Sequence, residues 1–228
     1  MLIIGLDDTD NHESRGTGYL ARQIAAALST DYTLLGVCRH QLLLDRRVPY
    51  TTHNSSAAIL LDGRGTADPI AILERVRTMM LAAFNPGSDP GLCVASTVPD
   101  EVTEFGRLAQ REVVSQAQAR DLAARLDIPL VGLGGTEDGV IGALAAVGLA
   151  ATGEDGRYIL VGRNRELSGL QPVAAVLKAG VAAVQTRDGK PVRDGSVLCD
   201  KLRPARRGGR PIAFVEWTGE HWLPLKLD

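Results

Sequence analysis

The chain opens Leu2-Ile3-Ile4-Gly5-Leu6-Asp7-Asp8-Thr9-Asp10, an apolar run that drives into three carboxylates within four positions. A run this short, bounded by turn formers, reads as a buried strand rather than a helix. The acids then stand at the strand's C-terminal mouth, where open α/β sheets keep their ligand crevice. Like charges this close repel one another unless they cap backbone groups, face water or share a cation. Turn formation alone accounts for Asp at such a place. Clustered hard oxygen donors equally suit magnesium, and that reading is preferred here, with Asp7, Asp8 and Asp10 as metal ligands.

Alternating strand and helix signals follow. Leu20, Ile24, Ala27 and Leu28 recur at helical spacing within 19–29, and 33–38 and 57–61 read as strands. Asp68-Pro69 is a cap followed by proline at the first helical position, with Ile70, Leu73, Val76, Met80 and Phe84 on one face. With a strand at 92–96, the order is β-α-β-β-α-β, the split pattern of a ferredoxin-like unit. Helices are expected at 101–110 and from a Ser115/Gln118 capping box to about Leu126. A strand at 128–133, a glycine-rich loop from Gly134 to Gly142 and a helix through Ala150 come next. Strands at 157–161 and 181–185 enclose a helix at 172–178. Beyond about Asp188, Gly, Pro and Arg dominate, and 212–217 with 221–227 signals a hairpin. The expectation is an α/β (α+β) fold: a layered core over residues 1–187 and a small β appendage over 188–228.

Composition excludes several classes. The formal net charge of −2 gives no global field for nucleic acid or membrane, so any anion must be held locally. Cys38, Cys93 and Cys199 are too scattered for a disulfide framework or a structural zinc site, and are expected as buried free thiols. The first residues lack a basic segment and their apolar run stops at Asp7, unlike a signal peptide. The longest apolar tract, 139–152, is too short for a membrane span. A cytoplasmic protein is expected.

Four loops besides the acidic mouth could carry chemistry. Gly16-Thr17-Gly18 opens a helix, where a hydroxyl between glycines suits a phosphate or simply caps the helix. The run from Pro49 to Ser56, with Thr52, His53 and Asn54, offers groups for a nucleobase edge or ribose, or for a hydrogen-bonded turn. Asn85-Pro86-Gly87-Ser88-Asp89-Pro90-Gly91 is rigid-loop chemistry just ahead of a strand. Gly134, Gly135, Gly139 and Gly142 would let backbone N–H groups approach a polyphosphate at a helix start, although neither a Walker motif nor a dinucleotide fingerprint is present. There Glu137 and Asp138 would repel a bare phosphate, which implies an intervening cation. The alternative is a flexible connection into a tightly packed helix. Lys201, Arg203, Arg206, Arg207 and Arg210 form a basic cluster, read as a solvated loop or as a phosphate grip.

Taken in order, GLDDTD, the Gly-Thr-Gly-Tyr helix start, PYTTHNSSA, NPG and GVIGALAAVG resemble the archaeal tRNA isoleucine agmatidine synthetases, over their kinase-like and ferredoxin-like portion and this chain up to about Val184. The resemblance implies ATP- and magnesium-dependent phosphoryl transfer to a cytidine base, followed by displacement of the phosphate by an amine. It implies that Asp7, Asp8 and Asp10 hold magnesium, that Thr17 is the reactive threonine, and that Gly139 and Gly142 lie beside the nucleotide. Two motifs depart from the family pattern: Gly16-Thr17-Gly18-Tyr19 stands for Cys-Thr-Thr-Tyr, and Thr51-Thr52-His53-Asn54-Ser55 for Lys-Thr-Arg-Gly-Asn. Zinc-ribbon cysteines and an OB-fold stretch are not found either. The leading expectation is therefore a Mg-ATP phosphoryl-transfer enzyme acting on a cytidine-like or other small acceptor, with RNA or a small molecule as partner. The rivals are a metal-dependent phosphohydrolase built on Asp8-Thr9-Asp10 and a non-catalytic nucleotide- or RNA-binding homologue.

Overall fold

The computed structural model describes residues 1–48, 53–63 and 68–227. The fold is mixed α/β and divides into two compact units, Met1–Thr152 and Gly153–Asp228.

In the first unit the strands are β1 (Leu2–Asp7), β2 (Leu34–Gln41), β3 (Ser55–Leu61), β4 (Gly91–Ala95) and β5 (Leu130–Gly132). Their order across the sheet is β5-β4-β1-β3-β2. Every neighbouring pair is antiparallel, with Ile4 opposite both Ile59 and Val94. Helices α1 (Thr17–Leu28) and α2 (Pro69–Ala82) complete the expected β-α-β-β-α-β order. Asp68 caps α2 by accepting the Ile70 N–H at 3.0 Å. Helix α3 (Asp100–Ala109) comes next. The predicted capping box of α4 (Gln116–Arg125) is present, with the Ser115 and Gln118 side chains each bonded to the other's backbone.

One helix fills the unit. In α5 (Gly139–Thr152) eleven residues are buried. That is the signature of a helix apolar on all sides and covered on all sides. It lies on β1, β3 and β4 and carries α3 and α4 on its outer surface. The approach to β1 is backbone to backbone: a Cβ at Gly5 would sit 2.0 Å from the Ala143 carbonyl oxygen. Gly5 is thus the contact surface for α5, and strand alternation puts Asp7 on the same face. No described helix is long and apolar enough to cross a membrane.

The second unit holds β6 (Arg157–Leu160), β7 (Leu170–Pro172), α6 (Val173–Lys178), β8 (Ala183–Thr186), β9 (Ser196–Leu198), β10 (Ala205–Arg207), β11 (Arg210–Trp217) and β12 (Trp222–Pro224). Strands β11 and β12 form the expected antiparallel hairpin. However, β8 pairs in parallel with β11, and Val176, Val184, Val197 and Val215 share one apolar cluster. The boundary expected at 187/188 therefore falls inside this unit, whose compact limit is residue 153. The basic cluster is also corrected: Arg206 is only 4% exposed and its guanidinium donates to Tyr158 Oη and to the Gly209 carbonyl. All three cysteines are free and buried, as expected.

Substituting Gly5→Ala should lower unfolding free energy by about 3 kcal/mol, because the added methyl must displace helix backbone. The midpoint shift in a urea titration reads this directly. An unchanged midpoint would remove the close β1–α5 contact as the organising packing of the unit.

Candidate functional site

Strand β1 hands the chain into a tight acidic turn. Asp7 ends the strand, and Asp8 takes a left-handed backbone with φ +51°. Non-glycine residues adopt that region sparingly, and Asp is among the more tolerant of them. The reversal sends the three carboxylates in different directions, so that they line two separate cavities.

The first cavity, of about 270 Å³, is lined by Asp10, Gly16, Thr17, Gly18, Arg39 and His53, among others. Asp10 Oδ1 accepts both the Thr17 N–H and the Thr17 hydroxyl, each at 2.9 Å. Thr17 Oγ1 in turn accepts the Thr9 N–H at 3.2 Å and the Thr9 hydroxyl at 3.1 Å. Thr9 and Thr17 are 3% and 6% exposed. Asp10 thus supplies from outside the helix the negative cap that the neighbouring Gly16 lacks. The Thr17 N–H is already taken, and its hydroxyl donates once and accepts twice.

The second cavity, of about 300 Å³, has Asp7, Asp8 and Asp138 on its lining and apolar Leu42, Leu43, Val113 and Ile141 elsewhere. Burial, reinforced by repulsion from Asp8, pushes the Asp7 carboxyl up to about 8. Burial followed by the charges of Asp89, Asp10 and Asp138 raises Asp8 to about 6. The lining includes Arg47, which is paired with Asp45 at 2.8 Å. Asp7 is held beneath α5 where Gly142 opens the helix face, since a Cβ there would lie 1.8 Å from Asp7 Oδ2.

In the glycine-rich loop five backbone N–H groups are bonded within the protein. The N–H groups of Thr136, Glu137, Gly139, Val140 and Ile141 donate to Asp89 Oδ1, Gly134 O, Asp89 O, Glu137 O and Asp138 O respectively. Gly135, with φ +61°, leaves room for the Asp89 carboxylate, and Gly134 packs on the Phe84 ring. Gly139 lies within α5 against Gly91 and the Asp7 carbonyl. Glu137 does not face an incoming phosphate, because it is paired with Arg120. Asn54 lines the second cavity while its amide donates to Leu43 O at 2.7 Å, and Thr52 lies outside the described residues.

Sequence reasoning misses three residues that hold these pieces together. In the sequence Thr9 is only a member of the acidic run, yet in the fold it is the partner of Thr17. Asn85 donates to the Thr9 carbonyl at 2.8 Å, and Asp89 binds the Thr136 N–H at 2.6 Å. The rigid-loop signal at 85–91 is the available clue to Asn85 and Asp89.

The donor chemistry of Asp7 and Asp8 fits a hard cation of the magnesium type, which takes one or two carboxylates and fills its remaining positions with water and phosphate oxygens. The cradle left by Gly142 over Asp7 is consistent with that use. Among the described residues no group of three or more His, Cys, Asp or Glu side chains converges on one point. Asp10 is turned to Thr17, while its charge still bears on Asp7 and Asp8.

The TiaS TCKD domain model matches residues 3–135, more than half of the chain and all of the acidic turn. The chain belongs to the TiaS TCKD family. The matched stretch stops four residues short of α5. The isoleucine-tRNA 2-agmatinylcytidine synthetase TiaS of Methanosarcina mazei is 29% identical over 170 residues, which cover 68% of this chain and 37% of the relative. This chain therefore spans less than two fifths of the curated TiaS length. Among solved structures, a tRNA fluorescent labeling enzyme superposes with a TM-score of 0.57 at 24% identity, covering 64% of this chain and 35% of the other. A complex of TiaS with its isoleucine tRNA and ATP gives 0.57 at 23%, covering 64% and 36%. At these identities the structural likeness is one of fold.

The raised carboxyls set the pH response of the metal-free TCKD fold. Both acids have an ordinary value of 3.8. Above it the unfolded chain has released protons that the folded chain keeps, so stability falls as pH rises, through about 6 for Asp8 and about 8 for Asp7. Asp7→Asn should flatten the upper part of that decline and raise the melting temperature at pH 8. Thermal melts in chelator at pH 5 to 9 test it, and equal slopes for variant and parent would refute a protonated Asp7.

Proposed function

We propose that this protein is a magnesium- and ATP-dependent phosphoryl-transfer enzyme related to the catalytic portion of TiaS, acting on a cytidine-like or other small acceptor. The observation that carries the reading is the pair of desolvated carboxyls, Asp7 and Asp8, on the lining of a cavity that also receives Asp138. Carboxyls so placed are costly as bare anions and favourable as cation ligands. Asp7 and Asp8 would hold magnesium, which when bound neutralises phosphate charge. Asp10 would orient Thr17, and the cavity around Thr17 would receive the acceptor. The same reading makes the first unit kinase-like with a ferredoxin-like β-α-β-β-α-β part, and the antiparallel order β4-β1-β3-β2 supports the ferredoxin-like part.

Support also comes from the solved TiaS structures, which include complexes with tRNA and ATP and with tRNA, AMPCPP and agmatine. RNA is accordingly the first acceptor class to try, with a small amine as the nucleophile that would displace the phosphate. The departures at Gly16-Thr17-Gly18 and Thr51–Ser55 argue for an acceptor different from that of TiaS. One observation favours a non-catalytic nucleotide-binding homologue instead: the buried Thr17 hydroxyl already has three hydrogen-bond partners.

Incubation with magnesium and γ-labelled ATP, with and without total RNA, separates these readings. Label should move to RNA, protein or free phosphate, and Asp8→Asn should slow this by on the order of a hundredfold. Magnesium alone should raise the melting temperature of the parent and leave Asp7→Asn unmoved. ATP binding without any label transfer identifies the non-catalytic homologue, and no binding at all sinks the proposal.

A further inference from the structure

We infer that Asp89 is a positioning residue that locks the 134–138 loop against the acidic turn and so sets the spacing between Asp8 and Asp138 across the second cavity. This rests on the phosphoryl-transfer reading above and assigns that site a residue outside its proposed metal ligands.

Two bonds converge on Asp89. Its carboxylate accepts the Thr136 N–H at 2.6 Å, and its carbonyl accepts the N–H of Gly139, the first residue of α5, at 2.9 Å. Its charge also bears on Asp8. One residue therefore ties the glycine-rich loop to the start of α5, and its segment reaches the acidic turn through Asn85 and the Thr9 carbonyl. A hydrogen bond to a charged acceptor is among the stronger kinds, and here it ties a backbone N–H that the tight turn leaves without a helical partner. The close approach is built in. A side chain at Gly135 would place its Cβ 1.9 Å from Asp89 Oδ1 and 2.8 Å from Ser88 O.

The segment carrying Asp89 is itself braced. Ser88, 1% exposed, donates its hydroxyl to the Asn85 carbonyl at 2.7 Å, and Asn85 reaches the Thr9 carbonyl. Asn11 donates to the Pro86 carbonyl at 3.1 Å, closing the brace from the other side. On its far side the 134–138 loop is gripped by Gln116, whose amide donates to Thr136 O at 2.8 Å and to Asp138 Oδ1 at 2.9 Å. Asp138 is thereby fixed between Gln116 and the loop that Asp89 anchors, and it faces the cavity that Asp7 and Asp8 line. Without the Asp89 carboxylate the Thr136 bond is lost, and Asp138 is held only by Gln116 and by the Gly139 bond to the Asp89 carbonyl, so its distance from Asp8 is less tightly set.

The test compares the full chain with Asp89→Ala and Asp89→Asn. Amide hydrogen exchange reports the tether, and titration calorimetry with magnesium and adenylyl imidodiphosphate reports the site. Asp89→Ala should speed exchange in 134–139 and weaken nucleotide binding by about tenfold, the scale of one lost charge-assisted bond. Asp89→Asn keeps a carbonyl oxygen for Thr136 and should restore most of both. A merely structural Asp89 would lower the unfolding midpoint and leave the affinity of the folded protein unchanged, which would overturn the inference. Unchanged exchange in Asp89→Ala would overturn it as well. If the parent protein binds no nucleotide, the functional reading fails by itself, and the exchange result still decides whether Asp89 is the tether.

Discussion

The first unit depends on the bare-backbone contact between Gly5 in β1 and Ala143 in α5. It brings an all-apolar helix down onto the middle of an antiparallel sheet, closer than any side chain between them would allow. Everything chemical in the unit is referred to that plane. Asp7 is two residues along from Gly5 on the same face, so the approach that buries the helix also desolvates the carboxyl. The cost of that desolvation is what makes a cation welcome there.

The two cavities at the end of β1 arise from one backbone event, the left-handed turn at Asp8. Had the chain continued in extended form, Asp8 and Asp10 would share a face by simple alternation. Instead Asp10 folds back to cap α1 and organise Thr17, while Asp8 stays with Asp7. The acidic motif is thereby divided between two cavities, with buried carboxyls on one and an oriented hydroxyl on the other. Under the proposed phosphoryl-transfer reading, that division would let donor and acceptor be held separately.

Much of the fold was legible because local chemistry and tertiary role agree. The Asp68-Pro69 start of α2, the Ser115–Gln118 box of α4 and the apolar run of β1 are each decided within a few residues. The three-residue strands β7, β9 and β10 carry no periodicity of their own, and pairing alone defines them, so they were invisible. The boundary at 153 was missed for a related reason: the parallel partnership of β8 with β11 spans a distance no local pattern reports. At the site, the acids, Thr17 and the glycines all stand out by residue type. Gly135, Gly139 and Gly142 look the same in sequence whether a glycine admits a phosphate or a neighbouring carboxylate and strand. The weight that Thr9 and Asp89 carry is hidden because it lies in contacts with Thr17 and Thr136, which only the fold creates.

The position of α5 along the chain also bears on how the unit assembles. Strands β1, β3 and β4 are complete by residue 95, yet the helix that covers their inner face begins only at Gly139. During synthesis the sheet must wait through α3, α4 and β5 with that face unprotected, and its first stable contact joins residues far apart in sequence. The unit should therefore gain its stability late and all at once, and a nascent chain halted before α5 would be a client for chaperones.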